Sequence, residues 1–281
     1  MTKVYLCSFA SPDLDLSVKR FINQSKNLMF YEDIKIFRIK DLSEELVKQI
    51  NSFSYPVKNK RLFGYACWKP YVIKTYLNQI PKNSILQYSD IGCHFNINGK
   101  NKLWQYVDLC NKKNALTFQY RLPEWKNFKG YKYQEYFEYQ FTKGDVWRFM
   151  KIKNDSKILN SEQIWSGSFF FKNNLKSKKI VNEWYNLTKI NYLIDDSPSK
   201  SKNHNLFEEH RHDQSIFSIL CKKNNIYNLS ASECEWAVHK KTRTWNHLNN
   251  FPILAKRDKK FNLIKRFINR QKKNLKRLLH K

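Results

Sequence analysis

Apolar and polar positions along this chain switch between the strand period and the helix period. Residues 3–10 (KVYLCSFA) form a β-like run closed by Ser11, Pro12 and Asp13 as turn residues. Residues 16–28 place Leu16, Phe21 and Leu28 among charges at helical spacing, and residues 34–39 (IKIFRI) alternate as a second strand. A helix is expected over residues 43–53 with Ser43 as its N-cap, and another over 70–80 with Pro70 in its first turn. A strand at residues 84–88 leads to Asp90. An amphipathic helix at 102–114 (KLWQYVDLCNKKN) precedes a strand at 115–120. The stretch 121–140 is aromatic and irregular, and residues 144–152 begin another helix. Residues 163–171 (QIWSGSFFF) read as a buried strand interrupted by a glycine, and 175–188 as a helix. The segment 195–205 (DDSPSKSKNHN) is the clearest loop, followed by a helix at 212–224 and a short strand at 226–229. This alternation predicts one doubly wound, mostly parallel α/β sheet flanked by helices. Such sheets take ligands at the carboxyl ends of their strands, where Asp90 falls.

The chain changes character after residue 255. Phe261, Ile264, Phe267, Ile268, Leu275, Leu278 and Leu279 recur at helical spacing among twelve basic residues, with Asp258 the single acid. Residues 256–281 therefore read as a basic amphipathic helix appended to a domain of residues 1–255. That form suits an anionic membrane surface, where each basic residue contributes about 1 kcal/mol. A helix packed on the body with a solvated basic face, or a nucleic-acid contact, are the other readings.

Composition narrows the class. Hydrophobic residues make up 41% and aromatics 16% of the 281 residues, enough for a large core, and 6 Gly with 7 Pro argue against a repeat or loop-rich architecture. No apolar run approaches the roughly 18 residues of a bilayer span. The opening run meets Asp13 and Asp15 at once, so it reads as a first strand and not a signal peptide. The six cysteines form no CxxC pair and read as reduced thiols of a cytosolic protein. A formal charge of +28 attracts polyanions such as nucleic acid, an anionic membrane or phosphorylated substrates.

Asp90 leads the candidate chemistry. A strand ending in Ser89-Asp90-Ile91-Gly92 presents a carboxylate beside a glycine, suited to a divalent cation or a ribose hydroxyl; an acid capping a turn is the bland alternative. Lys69, in Trp68-Lys69-Pro70, suits a phosphate as a point charge, and Trp68 or Tyr65 suits stacking on a base or sugar. Gly167, between Ser166 and Ser168, marks close approach of a ligand or another strand, or a bulge. Asp213 and Gln214 open a helix after His210-Arg211-His212, and Asp213 there is either functional or an ordinary first-turn acid. A zinc site from His204, His210 and His212 matches no known ligand spacing. His239, with Lys240, Lys241 and Arg243, forms a late basic cluster, while Asp145 between Lys143 and Arg148 reads as a cap.

The segments GYACWKPYVIKTYL, SILQYSDIGCHFN, QIWSGSFFFKN and RHDQSIFSIL, in this order, resemble bacterial glycosyltransferases of the GT-A type that build capsule, lipopolysaccharide and other surface glycans. The resemblance spans residues 3–256 and implies a single GT-A-like fold. It implies transfer of a sugar, a hexose in first expectation, from a UDP- or GDP-linked donor to a surface-glycan or lipid-linked acceptor. The family's Asp-x-Asp, which binds Mn²⁺ or Mg²⁺ and the donor diphosphate, corresponds to Asp90-Ile91-Gly92, where the second acid is missing. Donor binding is then expected at Tyr65, Trp68, Lys69, Asp90 and Gly92, with His239, Lys240 and Arg243 clamping the diphosphate. His239 and Asp90 are the candidate metal ligands. Gly167, Ser168, His212 and Gln214 fall to the sugar and acceptor wall, and Asp213, catalytic beside Asp90, faces the transferred sugar and is the candidate base should the transfer invert configuration. The protein is expected in the cytoplasm, peripheral on the inner membrane face. Two other classes stay open: a nucleic-acid binder, though no RNA-recognition, zinc-finger or helix-turn-helix signature is present, and an inactive scaffold of glycan assembly.

Overall fold

The computed structural model describes residues 2–53, 63–123 and 130–257, together with the isolated positions 267, 268, 271 and 275. The strands among them are β1 (Val4–Phe9), β2 (Asp33–Phe37), β3 (Ile85–Ser89), β4 (His94–Phe95), β5 (Ala115–Gln119), β6 (Tyr131–Lys132), β7 (Ile164–Lys172), β8 (Asn228–Ser230), β9 (Ala237–His239), β10 (Thr242–Thr244) and β11 (Ile253–Leu254). The α-helices are α1 (Asp15–Asn27), α2 (Glu44–Asn51), α3 (Trp68–Gln79), α4 (Lys100–Lys113), α5 (Glu138–Phe141), α6 (Gly144–Phe149), α7 (Ser156–Leu159), α8 (Leu175–Thr188), α9 (Asn191–Ile194) and α10 (His212–Lys223). The basic helix expected over residues 256–281 lies outside the described residues, apart from Lys256, Arg257 and those four positions.

Six strands form the central sheet in the order β2-β1-β3-β7-β5-β8. The pairs β1–β2, β1–β3 and β5–β8 are parallel. The sheet departs from the expected pattern at β7, which runs antiparallel to both β3 and β5. The register gives the reason. Gln119, ending β5, pairs with Ile164, beginning β7, so β7 starts at the edge where β5 ends and runs back in the opposite direction. That reversal carries the start of β7 to the carboxyl edge of the parallel strands, where Ser89 pairs with Ser168.

Successive side chains of a strand point to opposite faces, and both faces are covered here. Phe169 and Phe171 of β7 join Leu86, Tyr88, Val72, Trp184 and Phe217 in one core, roofed by α3, α8 and α10. Phe170, between them, joins Val4, Leu6, Phe21, Leu103 and Tyr106 in the other, roofed by α1 and α4. Smaller sheets lie outside this frame: β10-β9-β6 and β11-β4. All six cysteines are buried and unbridged. No helix among the described residues is long and apolar enough to cross a membrane.

At Gly167 of β7 an added side chain has no room. A Cβ there would lie 2.3 Å from the indole of Trp165, two residues earlier on the same face. The register of β7 against β5 shifts between Leu116 and Phe118, opposite this stretch, so the bulge is the reading that holds, and the chain's own tryptophan fills the space beside the glycine. Gly167→Ala is expected to displace Trp165 and lower stability by about 1–3 kcal/mol in urea unfolding. An unchanged midpoint would show that the indole is free to move aside.

Candidate active site

Three elements converge on the carboxyl edge of β3. The first is the turn that follows the strand. Asp90 donates its backbone N–H to Gly167 O (2.7 Å), and Cys93 N–H closes the turn on Asp90 O (2.8 Å). Arg20 reaches from α1 and holds the turn from within, its guanidinium donating to Cys93 O (2.5 Å) and Ile91 O (2.6 Å). Gly92 sits in this turn, partly exposed. Tyr88, buried in β3, donates its hydroxyl to Asp90 Oδ1 (2.7 Å). Burial first, and then the Asp90 charge, keep that phenol protonated.

The second element is the start of α3. Gly64, Tyr65 and Ala66 adopt left-handed φ values of 55°, 52° and 57° in succession. Such a conformation costs on the order of 1–3 kcal/mol for a residue other than glycine. The left-handed turn delivers Lys69 into the first turn of α3, an end that repels cations. Lys69 is nevertheless only 2% exposed, because acids meet it there. Its Nζ lies 2.9 Å from Asp213 Oδ2 and 3.3 Å from Asp90 Oδ1. It also donates to Ser166 Oγ (3.2 Å) and Ser166 O (3.3 Å). Burial would push the ammonium pKa down, but Asp213 and then Asp90 outweigh it and hold the value above the ordinary lysine range.

The third element is α10. Asp213, in its first turn, is 4% exposed and accepts from Ser166 Oγ (2.9 Å) as well as from Lys69. Burial raises its carboxyl pKa, and Lys69 offsets only part of that rise. Asp90 differs: its side chain is 43% exposed. The cluster therefore presents one carboxylate outward and keeps its ammonium and second carboxylate inside.

The structure brings together Lys69, Asp90 and Asp213, and reassigns several other expected residues. Trp68 is a core side chain, stacked on Phe9 at 4.0 Å between centroids with its indole N–H donated to Phe63 O, so it offers no face to a base. Tyr65 is 1% exposed and packs on Phe53 and His212 instead of on a ligand. Lys69 is spent on the two acids and on Ser166, which corrects its reading as a free phosphate contact. Asp213 turns inward, so it does not face a sugar in this conformation. Ser168 is fully buried and bonds to Ser89 Oγ (2.7 Å) and Tyr88 O (2.9 Å), a rung inside the sheet and not a sugar wall. His212, at φ 50°, is tied through Nδ1 to Ile194 O (2.8 Å). Gln214 accepts from Ser166 N and donates to Gln163 Oε1 (2.9 Å).

His239, Lys240 and Arg243 lie on the β9–β10 hairpin of the outlying three-stranded sheet. His239 stacks on Tyr131, and the Arg243 guanidinium lies 3.6 Å from the centre of the Trp236 ring. His204 stacks on Tyr139, and His210 bonds to Leu193 O, so the three histidines form no zinc set. No group of three or more His, Cys, Asp or Glu side chains suited to a metal occurs among the described residues. The space between Asp90 and Asp213 does not fit a divalent cation: Asp90 Oδ1 is already shared by the Lys69 ammonium and the Tyr88 hydroxyl, and Asp213 Oδ2 by the same ammonium.

Arg20, Tyr88, Ser166 and Arg257 were not singled out by spacing. Arg257, 56% exposed, pairs with buried Glu235 and with Tyr120, and Glu235 holds its guanidinium firmly charged, with Asp90 adding to the effect. A surface concavity of about 610 Å³, lined by Arg148, Lys151, Lys153 and Lys157 among others, includes none of the clustered residues.

No protein-family model matches the chain. The structure is similar to a glycosyltransferase involved in the glycosylation of the major capsid of PBCV-1, with 9% identity and a TM-score of 0.44 over 83% of this chain and 85% of that one. It is similar to mouse xyloside xylosyltransferase 1 in its apo form, with 8% identity and a TM-score of 0.45 over 83% of this chain and 87% of that one. The glycosyltransferase GlyE of Streptococcus pneumoniae overlaps 83% of this chain and 46% of its own, with 9% identity and a TM-score of 0.39. In sequence, 120 residues are 33% identical to Protein Ycf2 of Physcomitrium patens, which is 42% of this chain and 5% of that protein. These are likenesses, and donor, acceptor and linkage are not carried over from them.

Removing Lys69 alone leaves two acids uncompensated, one of them buried. Lys69→Met is expected to lose about 3–5 kcal/mol in urea unfolding at neutral pH, and adding Asp213→Asn to recover part of it. With its raised folded pKa, the ammonium contributes fully below the ordinary lysine range and loses its contribution only as pH climbs through the raised value. A double variant no more stable than the single one would show that the two charges are not coupled.

Proposed function

We propose that the chain is a glycosyltransferase that moves a sugar from a nucleoside-diphosphate donor. One observation carries the reading: a half-exposed carboxylate, Asp90, is fixed from three sides at the carboxyl end of β3. Sheets of this kind bind ligands at that edge, and the left-handed turn before α3 stores strain beside it. The motifs around Lys69, Asp90, Ser166 and Asp213 are also those in which the sequence resembles GT-A enzymes.

In this reading Asp90 touches the donor, through a ribose or sugar hydroxyl, and Arg257 meets the diphosphate as its charge develops in the departing nucleotide. Lys69, Ser166 and Tyr88 are positioning residues that act through Asp90, and Asp213 holds Lys69. Catalysis comes from orientation and electrostatic stabilisation on a preset frame. A hexose donor linked to UDP or GDP and a surface-glycan or lipid-linked acceptor are the expected substrates. The basic segment after residue 255 would keep the enzyme on an anionic cytoplasmic membrane face, where such acceptors lie.

Asp90→Asn is expected to lower donor hydrolysis or transfer at least about 100-fold with little change in melting temperature, and Arg257→Ala to act mainly by raising the donor KM. Full turnover in Asp90→Asn would remove the assignment. Separately, deleting the residues after Lys259 should release the protein from phosphatidylserine vesicles at physiological salt. Retention on them would mean that the folded body, not the tail, makes the contact.

A further inference from the structure

Four oxygens converge on one point at the carboxyl edge of β3. They are Asp90 Oδ1 (3.3 Å), Asp213 Oδ2 (2.9 Å), Ser166 Oγ (3.2 Å) and Ser166 O (3.3 Å), with distances measured to Lys69 Nζ. Two are carboxylate oxygens, one a hydroxyl and one a carbonyl, the donor types that hard cations such as Ca²⁺, Mg²⁺ and Mn²⁺ take. A tethered ammonium fills this cradle. We propose that Lys69 is the resident cation of the site, a covalently attached substitute that excludes a divalent ion from between Asp90 and Asp213.

Charge and size both support this. Two carboxylates and one ammonium leave the cradle at a net charge of −1, whereas a divalent ion added beside the ammonium would face a fixed positive charge within bonding distance of the shared oxygens. Such an ion needs oxygens at about 2.0–2.6 Å, and the present spacing fits the longer N–H···O contacts of an ammonium. Without the ammonium, the same four oxygens would carry a charge of −2, partly buried and preorganised by Tyr88, Gly167 and the first turn of α10. The missing second acid of the expected Asp-x-Asp then has a physical counterpart. The second carboxylate comes from α10, and the cation comes from α3.

The inference stands on this geometry and not on the proposed sugar transfer, so its test contains no nucleotide. Binding is followed by the electron-paramagnetic-resonance signal of Mn²⁺ and by melting temperature. The wild-type chain is expected to leave the Mn²⁺ signal that of the free ion, with no shift in melting at about 1 mM Mn²⁺. Lys69→Met is expected to bind Mn²⁺ and to gain at least about 3 °C in melting temperature, a gain lost in Lys69→Met/Asp90→Asn. If Lys69→Met does not fold alone, refolding with Mn²⁺ but not with a chelator supports the cradle, and failure under both conditions overturns it. Mn²⁺ binding to the wild type that disappears in Asp90→Asn also overturns it, because a divalent ion would then share the site with Lys69.

Discussion

An ammonium can leave water only where several oxygens replace its hydration, and the carboxyl edge of this sheet is built around one such replacement. Lys69 draws Asp90 from the end of β3, Asp213 from the start of α10 and Ser166 from the start of β7 to a single atom. Each element is held elsewhere by its own core contacts, so the ion cluster fixes their relative positions at the point where the two cores meet the edge. A buried pair of this sort is weak support for overall stability but strong support for one arrangement, since losing either partner leaves an uncompensated charge. Rigidity follows: Asp90 is oriented before any ligand arrives, which is what electrostatic preorganisation requires.

The reversal of β7 makes that convergence available. Were β7 parallel to β3, its first residues would lie at the opposite edge and Ser166 and Gly167 could not reach Asp90. Running antiparallel, β7 donates Gly167 O to the Asp90 backbone and lays Ser166 against Lys69. The left-handed run at Gly64, Tyr65 and Ala66 supplies the other half, bending the chain so that α3 starts at this edge. The packing of Tyr65 against Phe53 and His212 offsets that strain.

Much of the frame was legible in the sequence. Strands β1, β3, β5 and β7 and helices α3, α4, α8 and α10 appear within a few residues of where apolar periodicity places them, because each buries a continuous face. Periodicity carries no direction, so the reversal of β7 was not legible. Strands of two or three residues, such as β4, β6 and β11, are too short to show a period. At the site, Asp90, Lys69 and Asp213 stood out as polar residues at element ends. Their pairing did not, because it joins positions far apart in sequence. Arg20 looked like an ordinary charge on an amphipathic helix, and Arg257 like an ordinary member of a basic tail. For the late cluster His239, Lys240 and Arg243, adjacency in sequence suggested a clamp; the residues share a hairpin on which Arg243 lies over the Trp236 ring and the His239 ring packs on Tyr131.

Chemically, the outcome is an edge with one outward carboxylate and an internal ammonium, on a chain whose net charge of +28 attracts anionic ligands. The most direct test of the account is a crystal structure of the wild-type chain grown with UDP or GDP and Mn²⁺. The account calls for nucleotide density at the carboxyl end of β3, in contact with Asp90 and Arg257, with the Lys69 ammonium still seated between Asp90 and Asp213. Nucleotide bound elsewhere, or a metal ion in the place of that ammonium, would contradict it.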